Sequence, residues 1–97
     1  MKILALEKEL PGVTSAQFQP LLKEEARCLW DLQQAGLVRE VHFDARAHTA
    51  VLMLECADET AARQTLANLP LARAGLIEFE LVPLAPYDGY ARLFEHS

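Results

Sequence analysis

The feature that most limits this chain is its alternation of two apolar periodicities. Short runs with a period of two flank two stretches with a period near 3.6, in the order strand, helix, strand, strand, helix, strand. Lys2 to Lys8 reads as the first strand, apolar and then charged at its end. Leu10-Pro11-Gly12 is a turn. Thr14-Ser15-Ala16-Gln17 fits the capping-box pattern, so a helix starts there. Phe18, Leu21, Leu22, Ala26, Leu29, Leu32 and Ala35 form one apolar stripe. Pro20 lies within it. A first turn ends near Gln19 and the main helix restarts with Pro20 at its first position, which sets Glu24 and Glu25 near the positive end of the helix dipole. Gly36 ends the helix as a C′ glycine.

Leu37 to Phe43 and His48 to Cys56 read as the second and third strands, joined by the hairpin Asp44-Ala45-Arg46-Ala47. Asp58 caps a second helix from Glu59 to Asn68, which Leu69-Pro70-Leu71 ends. Leu76 to Val82 is the fourth strand, and Pro83 and Pro86 end regular structure. The apolar tail, residues 84–97, reads as a short helix or arm.

This order is the split βαβ motif. It predicts an α+β, ferredoxin-like βαββαβ sandwich over residues 1–97, a single domain whose antiparallel sheet carries both helices on one face. Strand alternation sorts the side chains. Val41, Phe43, Ala50, Leu52, Leu54, Ile77, Phe79 and Leu81 face the helices. Val38, Glu40, His42, Thr49, Val51, Met53, Glu55, Leu76, Glu78, Glu80 and Val82 face away. About half of that second set is apolar, more than a solvated sheet face needs. The expectation is that it packs on another copy of the chain, as a homodimer or higher homo-oligomer. An apolar fraction of 52% in 97 residues points the same way.

The net charge of −5 and the lack of a Lys/Arg cluster argue against nucleic acid and against an anionic membrane surface. No run approaches the about 20 apolar residues of a membrane span. The start, Ile3 to Leu6 followed by Glu7-Lys8-Glu9, lacks a secretory h-region, so the expected location is cytoplasmic. Cys28 and Cys56 then read as buried thiols.

Two groups of residues are candidates for chemistry. Glu40, His42, Glu78 and Glu80 share the open sheet face, where carboxylates and an imidazole in a partly desolvated space shift one another's pKa; the alternative is an ordinary wet strand face. Glu25 and Trp30 on the long helix, with Arg39 opening the next strand, form the second group. A carboxylate beside a Trp wall suits a small polar ligand, and Arg27 and Arg39 suit an anion; the alternative is a solvated Glu with surface ion pairs. His48, at the hairpin exit, is a third candidate or simply solvated, and His96 is incidental. No histidine pair has metal-ligand spacing, and no phosphate-binding or nucleophile-elbow motif is present, so no metal or cofactor is expected.

The segment Leu22-Lys23-Glu24-Glu25 through Trp30 to Gly36, and the run Thr65-Leu66-Ala67-Asn68-Leu69-Pro70-Leu71 before an acidic strand, resemble the muconolactone isomerase family of the dimeric α/β-barrel group. The resemblance covers roughly residues 1–84. It implies a cofactor-free isomerase that moves a double bond in a small unsaturated lactone by proton transfer, in a ring-like homo-oligomer. Glu25 falls on a glutamate of the family's first helix, and His48 is an approximate counterpart of its hairpin histidine. With His42, Glu25 is the catalytic candidate; Trp30, Arg39, Glu40 and His48 are the substrate-binding candidates. The family's Trp-rich second strand is replaced here by Val38-Arg39-Glu40-Val41-His42-Phe43, and the tail from Pro86 to Phe94 departs from the pattern. The reading that competes with the isomerase is a non-catalytic ligand-binding or accessory homo-oligomer.

Overall fold

A computed structural model describes residues 1–95. His96 lies outside the described residues. Four strands, β1 (Lys2–Glu9), β2 (Val38–Phe43), β3 (Ala50–Glu55) and β4 (Ile77–Leu84), form one antiparallel sheet in the order β2-β3-β1-β4. The helices α1 (Ser15–Phe18), α2 (Leu22–Gln34), α3 (Glu59–Ala67) and α4 (Pro70–Arg73) accompany it. The architecture is the α+β, ferredoxin-like arrangement that the sequence predicts.

Local chemistry explains the helix ends. Thr14 and Gln17 form the capping box. The Asp58 carboxylate accepts from the Ala61 amide at 2.8 Å. After α2 the chain turns through Gly36 at φ +80°, with Gly36 N–H donating to Gln33 and Leu37 N–H to Leu32, a Schellman motif that requires a left-handed residue. Pro20 sits in a separate 3₁₀ turn, Gln19–Leu21, and α2 starts at Leu22, after the proline rather than on it. The predicted second helix, α3, ends before Pro70, at Ala67, and Pro70 does not lead into a loop. It starts α4, where its missing N–H costs nothing.

The core lies between sheet and helices. Ile3, Ala5, Leu52 and Leu54 on the inner sheet face meet Ala62, Leu66 and Leu69. A satellite cluster of Leu71, Leu76 and Ile77 packs on Phe18 and Leu21. Two residues assigned to the open face are buried instead. Val38 is fully buried, because the β2–β3 register shifts between Val38 and Glu40; the irregularity at Arg39 turns Val38 inward opposite Leu54. Leu76 precedes β4 and is buried in the satellite cluster. Thr49 lies in the hairpin, ahead of β3. Pro83 stays within β4, opposite Ile3, which an edge strand tolerates. Cys56 is buried, whereas Cys28 is half-buried and both thiols are free.

The remaining alternation holds. Leu4 pairs with Met53 and Val82, and Leu6 with Val51, so these five half-buried apolar side chains run across the middle of the open face. The tail forms a 3₁₀ helix, Gly89–Phe94, that leaves Tyr90, Leu93 and Phe94 exposed. The molecule measures 61 × 28 × 21 Å, elongated for its length. No helix among the described residues is long and apolar enough to cross a membrane.

Candidate functional site

The helix layer is shorter than the sheet it covers, and the site follows from that mismatch. Val41 and Phe43 face the helix side of β2 but stay 40% and 62% exposed. The segment Val13 to Gln19 and the start of α2 stand opposite them. Between these walls lies a cavity of about 590 Å³. Val13, Phe18, Leu22, Ala26, Leu29 and Leu71 give it an apolar helix side, and Glu7, Glu9 and Ala50 form its floor and rim. His48 closes one edge.

Glu25 is the one buried charged residue among the described residues, at 7% exposure. Its Oε1 accepts a hydrogen bond from the Leu71 amide at 2.9 Å, one of the free N–H groups at the start of α4. Among the described residues no buried side-chain oxygen lacks a partner, so the second carboxylate oxygen reaches the open cavity. Burial pushes the Glu25 carboxyl up, and the Leu71 N–H pulls it partly back. Glu7, on the inner face of β1 opposite Phe79, is pushed up as well. Burial is its main cause, offset by the Ala50 amide and increased by the charges of Glu25 and Glu9; His48 lowers it.

The hairpin fixes His48. The Asp44 carboxylate accepts from the Arg46 and Ala47 amides at 2.8 and 2.9 Å, bonds that hold its own pKa low. His48 takes φ 57°, a left-handed conformation, and stacks on Phe43 with ring centroids 4.1 Å apart.

Of the sequence candidates, the fold brings Glu25 and His48 to one cavity. The other four lie elsewhere. His42 and Glu40 pair with each other at 3.1 Å on the exposed open face, beyond the reach of Glu78 and Glu80 across the sheet, since β2 and β4 are its opposite edges. Trp30 is 63% exposed on the outer side of α2. Arg39 donates to the Gly36 carbonyl at 2.8 Å. Glu7 carries no signal of its own in the sequence, because Glu7-Lys8-Glu9 reads as a charged strand end. Strand parity is the clue: Glu7 shares the face of Ile3 and Ala5. No group of side chains suited to a metal ion occurs among the described residues. A smaller groove of about 250 Å³ between α3 and β4 holds no buried titratable group.

Raised carboxyls have a stability consequence with a definite sign. The folded chain keeps protons on Glu7 and Glu25 above the ordinary value of 4.5, where the unfolded chain loses them. In that window the native state binds more protons, so the contribution of both groups to stability falls as pH rises. The Glu7→Gln variant is therefore expected to gain stability relative to the parent as pH is raised from about 4.5 to neutral. Thermal unfolding of the two proteins side by side checks this, since effects of titrating groups that do not interact with Glu7 cancel. A difference that stays constant with pH contradicts it.

No protein-family model and no curated relative matches the chain. Among solved structures, a muconolactone isomerase is similar with a TM-score of 0.74 and 21% identity, over 91% of this chain and 92% of that one. A 5-chloro-2-hydroxyhydroquinone dehydrochlorinase from Burkholderia phenoliruptrix AC1100, in complex with 2,5-dihydroxybenzoquinone, follows with a TM-score of 0.65 and 17% identity, over 92% and 98%. Identities this low speak for the fold alone. The chain has the ferredoxin-like fold of muconolactone isomerase.

Proposed function

We propose that the chain is a cofactor-free isomerase that transfers a proton on a small unsaturated lactone or a related carbonyl metabolite, with Glu25 as the base. The observation that carries this reading is the buried Glu25 carboxylate, tethered through one oxygen and open to a mostly apolar cavity through the other. Burial raises the Glu25 carboxyl, and the Leu71 N–H, which favours its charged form, offsets part of that rise. Burial raises Glu7 as well; the Ala50 amide pulls it back, and the charges of Glu25 and Glu9 push it further up. The neighbouring carboxyls therefore resist double ionisation, and in this scheme Glu25 is the ionised member and Glu7 the protonated one. An ionised Glu25 takes a proton from the carbon adjacent to the conjugated system. A protonated Glu7 donates a hydrogen bond to the carbonyl oxygen as its charge develops. Glu25 then returns the same proton at the other end of the dienolate. The double bond moves, and no net charge or electron is gained.

Both similar structures are named for reactions on small molecules, which supports the substrate size. Trp30, Arg39, Glu40 and His42 do not line the cavity and contact no ligand in this scheme. A panel of unsaturated lactones is the test. Turnover with a bell-shaped pH dependence, lost in Glu25→Gln, supports the reading. Turnover no faster than buffer across the panel, or a Glu25→Gln enzyme as fast as the parent, refutes it. A ligand that raises the melting temperature without being converted favours the binding-protein alternative.

We further propose that the open sheet face packs on a second copy of the chain. The apolar rows Leu4–Met53 and Leu6–Val51, with Val82, support this, as does the exposed aromatic tail. The expected sedimentation mass at micromolar concentration is a multiple of one chain, and Val51→Glu lowers it. A parent mass equal to one chain contradicts the proposal.

A further inference from the structure

The charge inventory of the cavity says which ligands it accepts. Three carboxyl side chains reach its lining: Glu7 on the floor, Glu9 at the rim and Glu25 on the helix side. The chain has nine Lys and Arg residues, all among the described residues, and none of them lines the cavity. Several are committed elsewhere. Lys8 points to the opposite sheet face and meets Glu80 at 3.5 Å. Arg39 is held by the Gly36 carbonyl, and Arg63 pairs with Glu59 at 3.6 Å on α3. The charges that act on Glu7 are two carboxylates and His48, with no Lys or Arg among them. His48 is the sole basic group of the lining, at the exposed edge, where its ring is already stacked on Phe43.

A carboxylate ligand entering such a cavity meets like charges in a partly desolvated space, with no guanidinium or ammonium to receive it. A cationic ligand has carboxylates to meet, but most of the wall it must touch is aliphatic or aromatic, which desolvates a cation without replacing its water. A neutral ring suits both parts of the wall. Its apolar edge fills the space beside Val13, Phe18 and Leu29, and its carbonyl takes a hydrogen bond from a protonated carboxyl.

We propose that the cavity selects an uncharged unsaturated ring carbonyl compound, and rejects one that bears a carboxylate. This rests on the assignment of the cavity as the ligand site made above, and it concerns binding rather than turnover.

Calorimetric titration of the full chain at neutral pH with a matched set tests it. The set is one unsaturated γ-lactone carrying a methyl ester side arm, the same lactone with the free carboxylate, and the same lactone with an ammonium arm. The expected result is that the ester binds at least about tenfold tighter than either charged form, or about 1.4 kcal/mol. In the Glu9→Lys variant, which puts a cation at the rim, the gap between ester and carboxylate is expected to narrow. A carboxylate or ammonium form that binds as tightly as the ester overturns the proposal, as does the absence of binding by all three at millimolar concentration. Preferred binding of the ester with no turnover sinks the isomerase reading and leaves this one standing. Tight binding and turnover of the carboxylate form does the reverse.

Discussion

Replacing Glu25 by alanine is expected to weaken the fold and to abolish turnover, whereas Glu25→Gln is expected to abolish turnover alone. The carboxylate has two partners of different kinds. One oxygen accepts from the Leu71 amide, the other faces the cavity. Alanine leaves that buried N–H unpaired, a loss of about 2 kcal/mol, or roughly 10 °C in the unfolding midpoint of a domain this small. Glutamine keeps an oxygen acceptor for Leu71 and removes a buried charge, so its midpoint is expected to stay within about 3 °C of the parent. It cannot accept a proton from carbon, and turnover is expected to fall by about 10²–10⁴-fold. Thermal unfolding and a turnover assay on the same two variants separate these roles. An alanine variant as stable as the parent shows that the Leu71 bond contributes nothing. A glutamine variant with full turnover removes Glu25 from the chemistry.

The largest purely structural loss is expected at Leu52. It is fully buried in the centre of β3, on the inner face, in line with Ala5 on β1 and Val41 on β2. Both neighbouring strands hold it in place, so the space left by Leu52→Ala cannot close by a shift of one strand. The expected cost is about 2–5 kcal/mol, a large part of the roughly 5–15 kcal/mol total of a typical domain. Urea unfolding reads it as a lower midpoint. Trp30→Ala provides the contrast. Trp30 is larger, yet it is 63% exposed, and its removal is expected to cost under about 1 kcal/mol. Equal losses at the two positions contradict the core described above.

What could be read from the sequence was what short-range chemistry decides. Thr14 with Gln17, Asp58 and Gly36 each act within a few residues, so the two long helices were legible with their caps. The strand order followed from the two periodicities. Val38 was misassigned because the register shift at Arg39 depends on pairing with β3, which no local pattern announces. Pro70 reads as a breaker when its neighbours are considered alone. Glu25 resolves part of the ambiguity by satisfying an amide of α4 from 46 residues away. The same distance explains the site. Glu25 could be placed on a helix from its spacing, but its burial depends on α4, and the entry of Glu7 into the cavity depends on how far α2 extends over the sheet. His42 and Trp30, which stand out by residue type, lie on surfaces that the helices leave uncovered.

Proton transfer at carbon leaves a direct record in heavy water. A responsive neutral lactone from the panel, incubated with the protein in D₂O and followed by proton NMR, is expected to show a shifted double bond. Deuterium is expected at the position that receives the proton, to the extent that Glu25 exchanges with solvent during the reaction. In the Glu25→Gln protein the lactone is expected to stay unchanged. Isomerisation at the parent rate by the Glu25→Gln protein, or an unaltered spectrum for the parent itself across the whole panel, contradicts the assignment of Glu25 as the base in this cavity.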